Sequence, residues 1–280
     1  MSGVIAAEWL KLRKRAATYV IGAIWVALIL LLEYLLSYYF FKSAPRPRLG
    51  AGGFNTRTFI DALLPRNIVH YMVPGNTTLG GALMLILAAL TGGSEFGWAT
   101  LKTIFTQRPT RLTVFAGKLL ALLLLLVLFV VLAFVAAGVG SLIVAAGEHA
   151  TVVWPPPGDI ARGAGALLLV FAAWAAVGLG LAVLFRGTAL AIGIGLVYAL
   201  VVEGLVNVFA AGNDVVKAIS NGLLGTNAGA LVAPFRTSSG GFRATTGSSV
   251  GVGQAALTLG VYVVVFALLS ALLLRQRDVT

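Results

Sequence analysis

Long apolar runs, separated by short polar stretches, follow one another from end to end of this sequence. Each run has about twenty residues or more, the length that an α-helix needs to cross the hydrocarbon core of a bilayer. The pattern predicts an all-α polytopic membrane protein with six transmembrane helices. No linker divides it, so residues 1–280 form a single transmembrane domain. The predicted spans are residues 18–41, 69–91, 119–146, 163–185, 188–210 and 252–274.

Residues 4–17 precede the first span and have an amphipathic pattern. At 100° per residue, Ile5, Trp9, Leu12 and Ala16 fall on one narrow helical face. A basic amphipathic helix with a tryptophan is typical of a helix lying in the cytoplasmic interface of a bilayer. The alternative is an ordinary positive flank of the first span. The residues assigned to this interfacial helix are Trp9 on the apolar side and the cations Lys11, Lys14 and Arg15 away from it. Glu8 falls on the same side as these cations.

The cations before the first span orient the chain with its N-terminus in the cytoplasm. Six spans bring the C-terminus back to the same side, where Arg275 and Arg277 follow the last apolar run. Residues 93–118 are then the largest cytoplasmic stretch, and residues 211–251 form an extracytoplasmic segment. Glycines and a proline within that segment predict short helices or a re-entrant excursion. The Pro155–Pro157 triplet predicts that no helix forms immediately before the fourth span.

Composition agrees with a membrane protein, because only 10% of the residues are charged and the mean hydropathy is +0.99. A soluble domain carries about a quarter charged residues. The net charge of +11 is compatible with nucleic-acid binding. However, the cations cluster at the ends of apolar runs, as membrane-flanking cations do. The predicted partner of these cations is therefore the lipid bilayer, and no nucleic acid is expected.

Candidate catalytic groups are few. Cysteine is absent, and the two histidines, His70 and His149, are predicted near the outer surface in different parts of the chain. The segment Gly92-Gly-Ser94-Glu-Phe96 lacks the closing glycine of a nucleophile elbow. Gly117-Lys118 is followed by Leu119 and has no glycine five positions upstream, so no phosphate-binding P-loop exists. The sequence predicts that this chain is not an enzyme and has neither a metal site nor a cofactor of its own.

Two acidic residues lie inside predicted spans, where a carboxylate costs a few kcal/mol. Glu33 and Glu203 are the acids, and Asn207 is one turn beyond Glu203 on the same helical face. They are candidates for a transport path, for binding a cationic group, or for cross-linking helices. Alternatively, both acids reach interfacial water or pair with outer arginines. For Glu203 both interpretations stay open, and for Glu33 the second is favoured.

The cytoplasmic stretch 93–118 contains a short amphipathic segment that Pro109 ends. Trp98, Leu101, Ile104 and Phe105 are spaced as one helical face. An ordinary polar connector is one interpretation. The other is a docking helix that can pass a push from a partner to the spans on either side, because an apolar helical face can fit a partner's groove. The residues assigned to this contact are Glu95, Trp98, Leu101, Lys102, Ile104, Phe105 and Arg111.

This stretch resembles the membrane subunits of type-2 ATP-binding-cassette (ABC-2) transporters. That family has an acid, Gly-Thr-like residues, a short coupling helix, Pro-x-(Ser/Thr)-Arg and Gly-Lys-Leu-Leu, in this order. The chain keeps the order, although Pro109-Thr110-Arg111 is one residue shorter than usual. The N-terminal segment, the tight Phe185-Arg186-Gly187 turn and the six-span layout are also similar. The matching residues are Glu95, Gly97, Thr100, Leu101, Pro109, Arg111 and Gly117-Lys118-Leu119-Leu120.

The resemblance implies a multi-pass permease subunit of an ATP-driven exporter in a bacterial cell membrane. Such a subunit pairs with a second permease copy or a paralogue. It also binds separate ATP-binding-cassette ATPase subunits, which hold ATP and Mg²⁺, through the loop 93–118. A wide Ala/Val/Leu lining suits a lipophilic or amphipathic substrate. The alternatives are a membrane anchor or scaffold that transports nothing, and a secondary transporter, which the lack of an inverted repeat disfavours.

Overall fold

The computed structural model describes residues 2–43, 56–97, 110–210, 212–236 and 250–276. Regular structure within these ranges is helical throughout, without a strand. Among the described residues, five helices are long and apolar enough to cross a membrane, and the number is six if a bent helix pair is counted as one span. The prediction of an all-α polytopic membrane protein is confirmed. In chain order the spans are Ala16–Ser43, Pro65–Gly75 with Leu79–Ser94, Leu112–Gly147, Pro157–Phe185, Thr188–Ala210 and Val252–Gln276.

The N-terminal helix runs from Ser2–Lys14, and a break at Arg15 separates it from the first span. Arg15 has an extended backbone (φ −80°, ψ 125°), so the helix stops earlier than the amphipathic pattern predicted. The first span contains a π-helical stretch, Leu28–Leu36, which includes Glu33. π-helical turns are rare and are frequently found at functional sites.

The second span is broken at Pro74, as its Pro-Gly-Asn-Thr-Thr sequence indicates. Its two halves, Ile68–Gly75 and Leu79–Gly97, belong to a helix pair bent by 59°. Side chains donate to carbonyl groups at the break, where irregular backbone in a membrane needs partners within the protein. Asn76 Nδ2 donates to Met72 O (2.8 Å), and Thr77 Oγ1 donates to Pro74 O (3.3 Å). A short helix, Thr56–Ala62, precedes this span.

The third and fourth helices both begin earlier than their apolar runs. The third helix is Arg111–Gly147, with Thr110 Oγ1 accepting from Thr113 N at its start. Lys118 therefore lies inside this helix and not at its N-terminal end. The fourth helix is Pro157–Phe185, so the prediction that the proline triplet excludes helix is wrong at Pro157. A proline fits the first helical position because its missing N–H would have no intrahelical acceptor there.

The outer segment after the fifth span folds into short helices. They are Asp214–Ser220, Leu224–Leu231 and a 3₁₀ turn, Ala233–Phe235, which together we call the outer cap. The fifth span contains a π-helical turn at Tyr198–Val202, directly before Glu203. Before it, Arg186 takes a left-handed conformation (φ 52°) in the tight turn that joins the fourth and fifth spans.

The core lies where the second and fourth spans cross. Of the most apolar stretch of the fourth span, 67% is buried, against 22% for the fifth span and 11% for the sixth. Glycines allow this close approach, as the small residues of the fourth span predict. Gly178 abuts the backbone of Leu85, and Gly81 lies under the Trp174 ring. The first, fifth and sixth spans consequently leave broad apolar faces exposed on the protomer.

Candidate functional site

The apolar face of the predicted coupling helix lies outside the described residues. This applies to Trp98, Leu101, Lys102, Ile104 and Phe105. The structure does describe the backbone on each side of them. Glu95 belongs to the helix that ends at Gly97, and Arg111 begins the helix of the third span. Residues 98–109, which we call the coupling segment, join these two helices in the chain, and their coupling role and contacts stay predictions.

Next to the start of the third helix lies the N-terminal helix, packed tightly against it. Val4 is so close to Gly117 that a Cβ atom added there would lie 2.7 Å from Val4 Cγ1. Leu12 is buried, and Trp9 is partly buried against the main core. The N-terminal helix thus uses part of its apolar face for another helix of the same chain.

A buried ion pair accompanies this contact. The Glu8 carboxylate lies 2.5 Å from Lys11 Nζ and 3.3 Å from Lys118 Nζ. Burial by itself would raise the pKa of Glu8, but the neighbouring ammonium groups of Lys118 and Lys11 outweigh this effect and hold the pKa below its ordinary value. Glu8 is therefore ionised at neutral pH.

The grouping of Glu8 with outward-facing cations is wrong, because Glu8 is only 4% exposed. A helical wheel separates apolar from polar positions but contains no information about a basic side chain arriving from another helix. Arg15 also departs from the predicted pattern. Its Nη1 donates to Leu90 O (3.0 Å) on the second span. Lys14 is exposed, and the Lys11 side chain is 37% exposed, as expected for cations facing head groups.

On the opposite side of the molecule, the Glu203 carboxylate bonds to the N-terminus of helix Leu224–Leu231 of the outer cap. Its Oε1 accepts a hydrogen bond from Gly225 N (2.9 Å), and the Tyr198 hydroxyl bonds to the same carboxylate. Leu224 N in turn donates to Tyr198 Oη (3.2 Å). Helix Leu224–Leu231 has no side-chain cap of its own. Side chains of the fifth span therefore satisfy N–H groups that the first turn of a helix leaves free.

Asn207 faces the same outer cap, as its spacing from Glu203 predicts. Its Oδ1 accepts from Ser220 Oγ (2.5 Å) and from Thr226 Oγ1 (3.2 Å). The sixth span adds a bond from Tyr262 Oη to Gly222 O (3.1 Å). Glu203 and Asn207 thus form one polar cluster that joins the fifth span to the cap helices.

Glu33 has its contacts elsewhere, at the break of the second span. Glu33 Oε2 accepts from Asn76 Nδ2 (3.0 Å), and its backbone carbonyl accepts from Tyr71 Oη (2.9 Å). Gly75 leaves room for the carboxylate, because an added Cβ would lie 3.0 Å from Oε1. Among the described residues, the side chain that bonds to this carboxylate is the amide of Asn76. Sequence spacing had no means of identifying it, because residues 33 and 76 belong to different spans.

We expect Gly225→Ala to loosen the outer cap, because the added methyl group would collide with Glu203 Oε2. Loss of a helix-capping bond costs about 0.5–2 kcal/mol. A cost in this range shifts the equilibrium between the packed and the detached outer cap by roughly tenfold. Because the chain has no cysteine, Ala228→Cys introduces a single thiol, at a buried position of the outer cap. The rate at which a maleimide labels this thiol measures how often the outer cap opens. Labelling should be faster in the Gly225→Ala background. Gly222→Ala, which meets only ordinary contacts, is the control. Equal rates in the two backgrounds would contradict the capping role.

Within the described ranges, no group of three or more acidic or histidine side chains is placed to hold a metal ion. The structure places the N-terminal helix beside the start of the third helix, which follows residues 98–109 in the chain. The family model described as ABC-2 family transporter protein matches residues 4–202, from the N-terminal helix through most of the fifth span. The chain belongs to this family, so the resemblance seen in its motifs is confirmed. A search of curated proteins finds no match to the chain.

Proposed function

We propose that this ABC-2 permease is the membrane subunit of an ATP-driven exporter in a bacterial cell membrane. Separate ATP-binding-cassette ATPases bind ATP and Mg²⁺ and act on the permease through residues 98–109. The observation that carries the proposal is the family match over residues 4–202, which includes the N-terminal helix, the coupling segment and the spans on either side. The lack of a P-loop in the sequence supports a separate ATPase.

The helices around the coupling segment explain how a push at the inner face would reach the membrane. The second-span helix ends at Gly97 and the third helix begins at Arg111, so displacement of the intervening segment acts on both. The second span is locked to the fourth by backbone contact at Gly178. A push therefore moves packed helices together and does not bend one helix alone, because close-packed interfaces deform little.

Assembly with a second permease copy or paralogue is expected from the family, and the exposed apolar faces of this chain are compatible with it. Exposed large apolar side chains line the first and fifth spans, for example Tyr19, Leu31, Leu190 and Val208. Lipid covers such faces as well as protein does, so exposure alone does not select between them. A permease of this family is expected to use part of this surface for its partner and to transport a lipophilic or amphipathic substrate between the two subunits.

We expect Leu101→Asp or Phe105→Asp to abolish transport-linked ATP hydrolysis while membrane insertion stays normal. Either change places a carboxylate on the apolar face that would dock into the ATPase, and burying an unpaired charge is unfavourable. The measurement is ATP hydrolysis by the complex purified with its ATPase and reconstituted in lipid. Thr103→Asp, on the opposite helical face, is the control and should retain hydrolysis. Wild-type hydrolysis in both variants would rule out coupling through this face and favour a scaffold.

A further inference from the structure

Two motifs that lie 110 positions apart in the sequence meet in one buried ion pair. Glu8 comes from the N-terminal helix, and Lys118 from the Gly117-Lys118 pair at the inner part of the third helix. The two charged atoms are 3.3 Å apart, and the side chains are 5% and 7% exposed. Among the described residues, the charged side chains that are buried are Glu8, Lys118 and Glu203. Two of these three form this pair.

The two helices are closely packed around the pair. Val4 fills the space above Gly117, so the two helices approach closely one residue before Lys118. Leu12 is buried one turn beyond Glu8 and continues the contact. While Val4 is in place, a side chain larger than hydrogen at position 117 would meet its Cγ1 atom and force the helices apart. The glycine therefore permits the approach that the ion pair requires.

Separation of the pair would leave charges in a site that water scarcely reaches. Removing one partner from a buried ion pair is strongly unfavourable because the remaining charge stays uncompensated. The same argument applies to a sliding motion, which would move Glu8 away from Lys118 by several ångströms without hydrating either group. The contact therefore favours joint movement of the two helices over relative movement.

We propose that the N-terminal helix and the inner part of the third helix form one rigid unit, which we call the inner clamp, with Glu8 and Lys118 as its positioning residues. The inner clamp transmits displacement of residues 98–109 to the first span. The route runs from the third helix through the ion pair to the N-terminal helix, which joins the first span at Arg15. Arg15 also bonds to Leu90 O, which ties the unit to the second span. The transmission step rests on the proposed function, whereas the rigid unit does not.

A disulfide across the clamp tests the rigid unit. A Cβ atom at Gly117 would lie 3.5 Å from Val4 Cβ, within the separation that disulfides require, about 3.5–4.5 Å. In the cysteine-free chain, Val4→Cys with Gly117→Cys should form a bond on mild oxidation. Loss of labelling by a maleimide–polyethylene glycol reagent reports the bond in the purified permease. Val4→Cys alone is the control and should stay labelled. A double variant that stays fully labelled after oxidation would overturn the proposal.

The second arm measures ATP hydrolysis by the complex of the double variant with its ATPase, before and after oxidation. A rigid unit predicts unchanged hydrolysis in the cross-linked complex, because the disulfide joins parts that already move together. Loss of hydrolysis on oxidation, with recovery on reduction, would show that the helices must slide and would overturn the proposal. If hydrolysis does not respond to Leu101→Asp and Phe105→Asp while the disulfide still forms, the proposed function fails and the rigid unit stands.

A charge exchange tests the positioning residues without new bulk at Gly117. Glu8→Lys and Lys118→Glu each place like charges together and should lower ATP hydrolysis per bound ATPase. The double exchange Glu8→Lys with Lys118→Glu restores an attractive pair and should recover hydrolysis. Recovery of folding without recovery of hydrolysis would assign the pair a purely structural role and overturn the transmission step.

Discussion

Replacement of Lys118 by methionine is expected to destabilise the protein by about 3 kcal/mol, because it leaves the Glu8 carboxylate buried without its cross-helix partner. Methionine retains the unbranched apolar stem of lysine, so the change removes mainly the charge. Lys11 still contacts Glu8 at 2.5 Å, which places the effect at the lower end of the range for breaking a buried pair. For a chain of this size, the midpoint of thermal unfolding should fall by roughly 6 °C or more.

The double variant Glu8→Gln with Lys118→Met should recover much of this loss, because it leaves no buried unpaired charge. Lys42→Met is the matched control. Lys42 forms a second Lys–Glu pair, with Glu148 at 2.8 Å, but the side chains are 52% and 30% exposed. Exposed pairs contribute little to stability, so its midpoint should hardly change.

Thermal unfolding of the purified proteins in one detergent, followed by circular dichroism, provides the comparison. Equal shifts for Lys118→Met and Lys42→Met would show that the inner pair is not buried in the functional protein. Additive effects of Glu8→Gln and Lys118→Met would show that the two side chains do not interact, because contacting residues give non-additive changes.

Gly178→Ala is expected to separate the second and fourth spans and to destabilise the protein by about 1–3 kcal/mol or more. The methyl group would lie 2.9 Å from the carbonyl carbon of Leu85 and nearer still to its carbonyl oxygen, closer than real Cβ atoms come to other atoms. Because these are backbone atoms, no side chain can rotate away, and the helix axes themselves must shift. The two spans form the core of the protomer, so the shift would affect every helix packed on them.

Gly165→Ala in the same helix is the matched control, since an added Cβ there has nothing within 4 Å. That change should be neutral or stabilise the protein by up to about 1 kcal/mol, the usual gain of alanine over glycine in a helix. Thermal unfolding and the yield of correctly inserted protein are the measurements. Similar stability of the two variants would contradict the close approach of the second and fourth spans at Gly178.

Much of the architecture follows from local sequence. A span is recognised because about twenty consecutive apolar residues are sufficient to place a helix in lipid, whatever its neighbours are. The kink at Pro74 and the short helices of the outer cap follow from residues that act on their own backbone. Helix starts were predicted less well. Hydropathy indicates which residues lie in lipid, but it does not indicate where a helix begins. The helix Arg111–Gly147 begins where Thr110 can cap it, several residues before the apolar run.

The candidate sites also divide into features that are visible in local sequence and features that depend on contacts between helices. The order of motifs around residues 93–118 was sufficient to predict the family, because short spacings within one segment are visible in the sequence. The partners of Glu8, Glu33 and Glu203 were not visible. Each lies on another helix or beyond a turn, at Lys118, Asn76 and Gly225.

The sequence by itself therefore determined a polytopic helical membrane protein of the ABC-2 family and the order of its apolar spans. These properties depend on composition and spacing over short stretches. The coupling role of residues 93–118 stays a prediction. Only the tertiary structure decided that Glu8 is buried against Lys118, that Glu203 caps a helix of the outer cap, and that Gly178 touches the backbone of Leu85. The physical reason is that each of these contacts joins segments whose relative position is set by helix packing, and hydropathy and periodicity describe one helix at a time.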